Sequence, residues 1–283
     1  MTEEELLASH VGRELHAEDN VDAERLLRLA ALLDRHWTPA DELPPLAHFV
    51  LFRPDQLQSR IGPDGHPLRD PDGMLPAIAP PRRMWAGSRI RFLRKMQPGS
   101  TVMRRSRLVS AIAKNGKSGA MVFCTIEYQI TEPGGDVLIA EEQDIVYREA
   151  HGGPGLAARP AIATTLEPDF TSIRAIGPVE LFRYSALTFN SHRIHYDRDY
   201  ARAAEGYQGL VVHGPFLATM MFDHLMQAAG GRKIAEFSFR AVSPSFDGEE
   251  LTFGAKLEGD MAQLSIVNPI GLAMSGEARL VDG

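Results

Sequence analysis

Gly214-Pro-Phe-Leu-Ala-Thr-Met-Met-Phe-Asp-His-Leu-Met-Gln-Ala-Ala229 is the stretch on which the fold turns. Pro215 suits a first helical turn, where its missing N–H removes no hydrogen bond, and Phe216, Leu217, Met220, Met221 and Leu225 recur at helical spacing. Gly230-Gly231 stops the run. The pattern predicts a buried helix over 214–229, with Met220 and Met221 as plain core. After it, short alternating segments at 234–242, 249–257, 262–268 and 272–281 predict strands separated by tight turns. One apolar helix followed by a meander of strands predicts an antiparallel sheet curved around that helix, an α+β arrangement.

Working upstream, a strand is expected at 181–188, then a polar, histidine-rich segment from Asn190 to Asp197. In the first half, Asp22 as N-cap and Leu26, Leu27, Leu29, Ala30 and Leu33 behind it predict an amphipathic helix over 22–36. Ten prolines then make 37–87 a long loop, of the kind that covers something. Strands follow at 101–112 and 120–130 around a hairpin signal at Asn115-Gly116, with a third ending near Tyr147. Gly152-Gly-Pro-Gly155 reads as a linker, giving two units, 1–150 and 151–283. Arg94 and Pro98 in the first unit and Arg240 and Pro244 in the second share one spacing, which suggests an internal duplication.

Composition narrows the partners. The 283 residues are 44% hydrophobic and 24% charged, as in an ordinary globular chain, and the net charge of -7 gives no support to nucleic-acid binding. The single cysteine, Cys124, excludes an internal disulfide and a multi-cysteine metal site. Leu210 to Met226 is the most apolar long stretch, yet His213, Asp223 and His224 interrupt it, so no membrane span is expected. The acidic opening Met-Thr-Glu-Glu-Glu is unlike a secretory signal, and the chain reads as cytoplasmic.

The chemistry gathers at His192, His195 and His213, because histidine is the side chain most readily poised for proton transfer near neutral pH. His192, His195 and Asp197 offer zinc ligands, but the spacing is not the helical i, i+4 pair and no catalytic glutamate lies within it. A Gly-x-Ser-x-Gly elbow, a Gly-x-Gly-x-x-Gly loop and a P-loop are all absent, so no cofactor and no metal is expected.

The run Phe189-Asn-Ser-His-Arg-Ile-His-Tyr-Asp197, followed by Val211-Val-His-Gly214, resembles the hydratase motif of the MaoC-like, type 2 enoyl-CoA hydratases, which have the hotdog fold. Its variant form is similar to the branch of hydroxyacyl-thioester dehydratases and mesaconyl-C4-CoA hydratases. His48-Phe-Val-Leu-Phe52, Asp64-Gly-His-Pro67 and Pro81-Arg-Arg-Met-Trp-Ala-Gly87 extend the likeness to the first half. The resemblance implies a double hotdog, two antiparallel sheets each wrapped around a central helix, with the chemistry in the second unit and a substrate channel helped by the first.

It also implies addition of water to the α,β double bond of an acyl-CoA thioester. The expected substrate is a small dicarboxylyl thioester such as mesaconyl-C4-CoA or itaconyl-CoA, giving citramalyl-CoA. A fatty-acid (3R)-hydroxyacyl-thioester dehydratase is the alternative within enzymes, and a non-catalytic thioester binder the alternative outside them. His195 falls on the general base and Asn190 on the family's catalytic aspartate. Asn190 can orient water but cannot exchange a proton, which leaves His195, or His195 with Asp197, to carry it. The Gly214 N–H, at a helix N-terminus, is the expected donor to the thioester oxygen. Arg82, Arg83 and Trp85 form either a substrate clamp or a solvated loop around a buried indole. His66 either reaches the site or holds its own turn, Arg193 binds an acyl carboxylate or pairs with Asp197, and His213 is placed among the substrate contacts. Association into a homodimer is expected.

Overall fold

The computed structural model describes residues 2–70, 72–78, 82–116, 119–148 and 161–282. The linker expected at 152–155 and the boundary at 150/151 lie outside the described residues. The chain opens with α1 (Glu3–His10), β1 (Glu14–Asn20) and α2 (Ala23–Leu32), then a long loop with two 3-10 turns before β2 (Arg82–Phe92). Three long strands follow: β3 (Thr101–Gly116), β4 (Gly119–Thr131) and β5 (Val137–Arg148). The second half runs β6 (Phe170–Ala175), α3 (Pro178–Thr188), α4 (Arg198–Ala203), α5 (Gly214–Ala228), then β7 (Lys233–Ala241), β8 (Glu250–Glu258), β9 (Met261–Asn268) and β10 (Gly271–Val281). Among the described residues no helix is long and apolar enough to cross a membrane.

The ten strands form one antiparallel sheet in the order β1-β3-β4-β5-β2-β7-β10-β9-β8-β6. This corrects the expectation of two sheets. β2 and β7 pair from Gly87↔Arg240 to Arg91↔Glu236, so the open edges of two five-stranded units satisfy each other's N–H and C=O groups. Strand order repeats on either side of that seam, which agrees with duplication. Arg94 and Arg240 are not equivalent positions, since Arg94 lies beyond the end of β2 and Arg240 within β7.

The helix over 214–228 forms as the apolar spacing predicts, and its Phe216, Leu217, Met220, Met221 and Leu225 are buried against the sheet of the second half. Burying such side chains stabilises by about 1.5–3 kcal/mol each. Among the described residues the first half has no counterpart: α2, capped by Asp22 and shorter than expected, packs chiefly against α3 and residues 47–50. The loop over 53–76 borders the concave face of β3, β4 and β5 instead.

Three local expectations change. Residues 181–188 are helical, because Pro178 starts α3, Glu180 accepts the Gly177 N–H at 3.1 Å, and Leu181, Tyr184, Ser185 and Leu187 are buried at helical rather than alternating spacing. The loop ends at Arg82, earlier than the prolines suggested, since β5 supplies β2 with a partner from Arg82↔Arg148 onward. Asn115 and Gly116 are the last residues of β3, paired with Ala120 and Gly119 rather than placed between the strands, and residues 117–118 lie outside the described residues.

Gly87 sits at the β-bulge in β2, where an added Cβ would run into the Phe239 carbonyl oxygen of β7. Gly87→Ala forces the central seam apart and should lower stability by about 2–3 kcal/mol. Urea unfolding of the purified variant checks this, and an unchanged midpoint contradicts the tight seam.

Candidate active site

The histidine segment is held from both sides. The chain leaves α3 through Phe189 in a left-handed conformation, and the Asn190 N–H then donates to the Ser185 carbonyl at 2.8 Å. Residues 193–195 form one 3-10 turn, docked onto the chain before α5 by two reciprocal bonds: Val211 N–H to the Ile194 carbonyl at 2.9 Å, and His195 Nδ1 to the Val211 carbonyl at 2.7 Å. A carbonyl only accepts, so Nδ1 carries the proton and Nε2 is left as a lone-pair base. His195 lines a cavity of about 1880 Å³ that runs from this turn to the concave face of β3–β5.

Burial pushes the His195 imidazole down to about 4. His213 stacks on it with ring centroids 3.6 Å apart, and burial also pushes His213 well below its ordinary range. Two neutral rings can stack this closely where two imidazolium ions would repel. His213 Nε2 is 2.8 Å from the Ser185 hydroxyl. His213 therefore sits behind His195 as a support and is not part of the cavity wall, contrary to its expected place among the substrate contacts.

Asn190 faces the cavity, and its Oδ1 accepts the His192 backbone N–H at 3.0 Å. That N–H needs an acceptor, which fixes the amide and leaves Nδ2 as the group offered to a ligand. Gly214 begins α5 at the cavity wall, and Pro215 behind it has no N–H, so Gly214 presents one of the few unclaimed donors of the first turn. A Cβ added at Gly214 would meet only the Trp85 carbonyl oxygen, at 4.0 Å.

The loop of the first half closes over this motif. Gly65, with φ of +89°, lies so close to the Ser191 carbonyl that no side chain fits between them. Ser191 Oγ donates to the Gly65 carbonyl at 2.6 Å, and the Arg193 N–H to the Asp64 carbonyl at 2.9 Å. His66 thereby lies against His192, ring centroids 3.9 Å apart, which places it at the site and not merely in its own turn. Burial, then His66 and His195, pushes His192 down to about 2. Burial works to raise the Asp64 carboxyl, but the His66 ring and backbone donors prevail and hold it at about 2. Asp64 was not singled out from sequence, although it stands in the same Asp-Gly-His-Pro run as His66. Asp64, His66 and His192 bring three donor atoms within 4.8 Å of one another, but both Asp64 oxygens already accept from His66.

The remaining candidates divide. Arg82 is paired with Glu205, Nε to Oε2 at 3.0 Å, and also donates to the Glu205 carbonyl at 2.9 Å, so it braces the loop after α4. Arg193 pairs with Asp197 at 2.7 Å, donates to the Pro63 carbonyl at 3.1 Å and lies over the Tyr200 ring. Asp197 Oδ1 caps α4 by accepting the Tyr200 N–H at 2.9 Å, so both its oxygens are engaged away from the reacting groups. Trp85 donates its indole N–H to the Gly87 carbonyl at 3.0 Å and packs edge-on to Phe49, forming wall rather than clamp. Arg83 lines the cavity, is exposed to it, and has no partner among the described residues.

The buried neutral rings couple stability to pH. The unfolded chain protonates both rings near 6.5, whereas in the folded chain His195 takes a proton only at about 4 and His213 is pushed well below its ordinary range, so protons favour unfolding and stability falls as pH drops from about 6.5 toward 4. Each ring contributes at most about 1.4 kcal/mol per pH unit in that window. Heat-denaturation midpoints taken from pH 7 to 4.5 should decline steadily, and a flat profile contradicts the neutral pair. Gly214→Ala should keep its wild-type melting temperature, because the Cβ meets open space, yet lose at least tenfold in turnover, because that space is the cavity.

Comparison with known proteins agrees with this architecture. Residues 46–247 match the family model described as hydroxyacyl-thioester dehydratase type 2. The chain is 40% identical over 274 residues to the mesaconyl-C(4)-CoA hydratase of Chloroflexus aurantiacus, covering 95% of this chain and 96% of that one. It is 27% identical over 232 residues to the mitochondrial hydroxyacyl-thioester dehydratase type 2 of Schizosaccharomyces pombe, covering 74% and 76%. The crystal structure of a MaoC-like dehydratase from Phytophthora capsici superposes over the full length of both chains with a TM-score of 0.73 at 18% identity, which shows a shared fold. With a hydratase relative at 40% identity and a family model spanning most of its length, the chain belongs to the hydroxyacyl-thioester dehydratase type 2 family of MaoC-like hotdog hydro-lyases.

Proposed function

We propose that the chain hydrates a small dicarboxylyl-CoA thioester, with mesaconyl-C4-CoA or itaconyl-CoA as substrate and citramalyl-CoA as product. The observation that carries this reading is the orientation of His195: with Nδ1 committed to the Val211 carbonyl, a neutral Nε2 is left at the same cavity wall as the N-terminus of α5. The Gly214 N–H and the positive end of that helix accept the charge that develops on the thioester oxygen. With mesaconyl-C4-CoA, Nε2 takes a proton from a water as the water oxygen bonds to the β-carbon, and the imidazolium returns the proton to the α-carbon on the same face; with itaconyl-CoA, whose double bond joins the β-carbon to a methylene, the returned proton goes to that methylene carbon. The Asn190 amide, with only Nδ2 free, donates to the water oxygen and directs its lone pair. Asn190 needs no proton of its own in this scheme, and Asp197 takes no part.

In this reading residues 151–283 supply the chemistry, and residues 1–150 supply the loop at 61–67 and the deep wall of the cavity. A volume of about 1880 Å³ is larger than the usual small-ligand pocket and suits a substrate with a long carrier. The apolar side chains in that wall, among them Met121, Phe123, Ile130 and Ile145, favour as second reading a (3R)-hydroxyacyl-thioester dehydratase of straight acyl chains.

Initial rates with mesaconyl-C4-CoA and crotonyl-CoA, followed by loss of the enone thioester absorbance, and with itaconyl-CoA, whose double bond is not conjugated to the thioester, followed by chromatography of the product, separate the two readings. The dicarboxylyl thioesters should be preferred, and preference for crotonyl-CoA or longer straight chains selects the second. His195→Ala should lower kcat by about 10²–10⁴. Asn190→Asp retains an acceptor for the His192 N–H and should keep turnover within about tenfold, while Asn190→Ala should lose more.

A further inference from the structure

The loop at 61–67 is tied to the histidine motif more firmly than a mere cover requires. It is itself a tight hairpin, in which Ile61 bridges Pro67 and the Gly62 N–H donates to the His66 carbonyl at 2.7 Å. Three bonds join it to the second half: Ser191 Oγ to the Gly65 carbonyl, the Arg193 N–H to the Asp64 carbonyl, and the Arg193 guanidinium to the Pro63 carbonyl. Within the loop, the Asp64 carboxylate accepts from the His66 backbone N–H at 3.0 Å and from His66 Nδ1 at 3.1 Å. The ring is thereby fixed at the cavity wall, with Nε2 as the nitrogen left for a ligand. The hydratase chemistry described above gives that atom no task.

His66 stands beside the reacting groups. Its ring stacks on His192 at 3.9 Å, His192 meets His195 edge-on at 5.5 Å, and the Asn190 amide oxygen holds the His192 N–H. The positive field of His66 reaches His195 as well as His192, and Arg83 adds its own at His192. Arg83 lies two residues before Trp85 on β2, on the same face of the strand, and the Trp85 carbonyl borders Gly214. The acids at this end of the cavity are already matched, Asp64 with His66 and Glu205 with Arg82. Arg83 is the cation in excess, since it pairs with no acid among the described residues.

We propose that His66 and Arg83 together bind the free carboxylate of the acyl group and make the site selective for a dicarboxylyl thioester. In mesaconyl-C4-CoA and itaconyl-CoA this carboxylate is carried on the carbon that takes the water, so its subsite must border His195 and Asn190, as His66 does through His192. The Arg83 guanidinium offers two parallel N–H bonds to the carboxylate oxygens. One of those oxygens also accepts from His66 Nε2, the ring having taken its second proton from solvent, so that an imidazolium lies between the Asp64 and substrate carboxylates. The single negative charge of the substrate balances the single cation in excess, and the β-carbon is held against the water between His195 and Asn190. The subsite presupposes the hydratase reading and adds to it the groups that recognise the acyl chain.

The test compares kcat/KM for mesaconyl-C4-CoA with that for its methyl ester at the free carboxyl, a neutral analogue of nearly the same shape. The wild-type protein should favour the acid. His66→Phe, which keeps a ring against His192 but removes both nitrogens, and Arg83→Met should each cut the acid-to-ester ratio by about tenfold or more. Arg91→Met, on the same strand but outside the cavity, should leave the ratio unchanged. A proton-transfer role for His66 would lower the rates with acid and ester alike, so a wild-type ratio in His66→Phe overturns the subsite while the hydratase reading stands. Arg83 is exposed to the cavity, so Arg83→Met remains a test if His66→Phe does not fold, and an unchanged ratio there overturns the paired subsite equally. Wild-type indifference between acid and ester overturns the subsite alone, and turnover of crotonyl-CoA with none of the dicarboxylyl thioesters overturns both readings.

Discussion

The pairing of β2 with β7 is the constraint from which the rest of the site follows. Antiparallel contact from Gly87↔Arg240 to Arg91↔Glu236 joins two five-stranded units into one sheet and removes the exposed edge that each alone would present. The seam needs a residue without a side chain at Gly87, because the Phe239 carbonyl occupies the Cβ position. It also brings the Trp85 backbone to the N-terminus of α5, with its carbonyl oxygen 4.0 Å from where a Gly214 Cβ would stand. The wall that meets the acyl group is thereby made from both halves of the chain.

The two halves use the same strand order for different ends. In the second, α5 fills the concave face, so that face is apolar and solid. In the first, α2 packs aside on α3, and a proline-rich loop borders the space left over β3–β5. A face not filled by a helix is free to carry polar groups, and Arg104, Tyr128 and Glu141 occupy it. The same loop reaches across to the reacting groups: Gly65 lies against Ser191, and Asp64 with His66 buttresses His192. Desolvation keeps the His195 and His213 rings neutral at this wall.

The candidate groups of the second half were legible in the chain because they are local. Phe189 to Asp197 and Val211 to Gly214 lie within one stretch, and the helix after them announces itself by Pro215, its apolar stripe and Gly230-Gly231. Residues 181–188 misled because Leu181, Phe182, Tyr184, Leu187 and Thr188 suit a strand as well as a helix, and only burial on one side of α3 decides between them. His213 and Arg193 were ambiguous for another reason. A side chain's neighbour in sequence does not say which way it points, and stacking on His195 or pairing with Asp197 is settled by packing.

What the sequence by itself determined is the set of elements whose signal is periodic or motif-bound: α5, the strands after it, the histidine run, and the family likeness those residues carry. Only the tertiary structure decided that the two halves share one sheet and that the loop at 61–67 closes over the histidine motif. Those facts rest on contacts between residues far apart in the chain, such as Gly87 with Arg240 and Gly65 with Ser191. No local pattern encodes them, because the free energy that selects them arises only when the whole sheet closes.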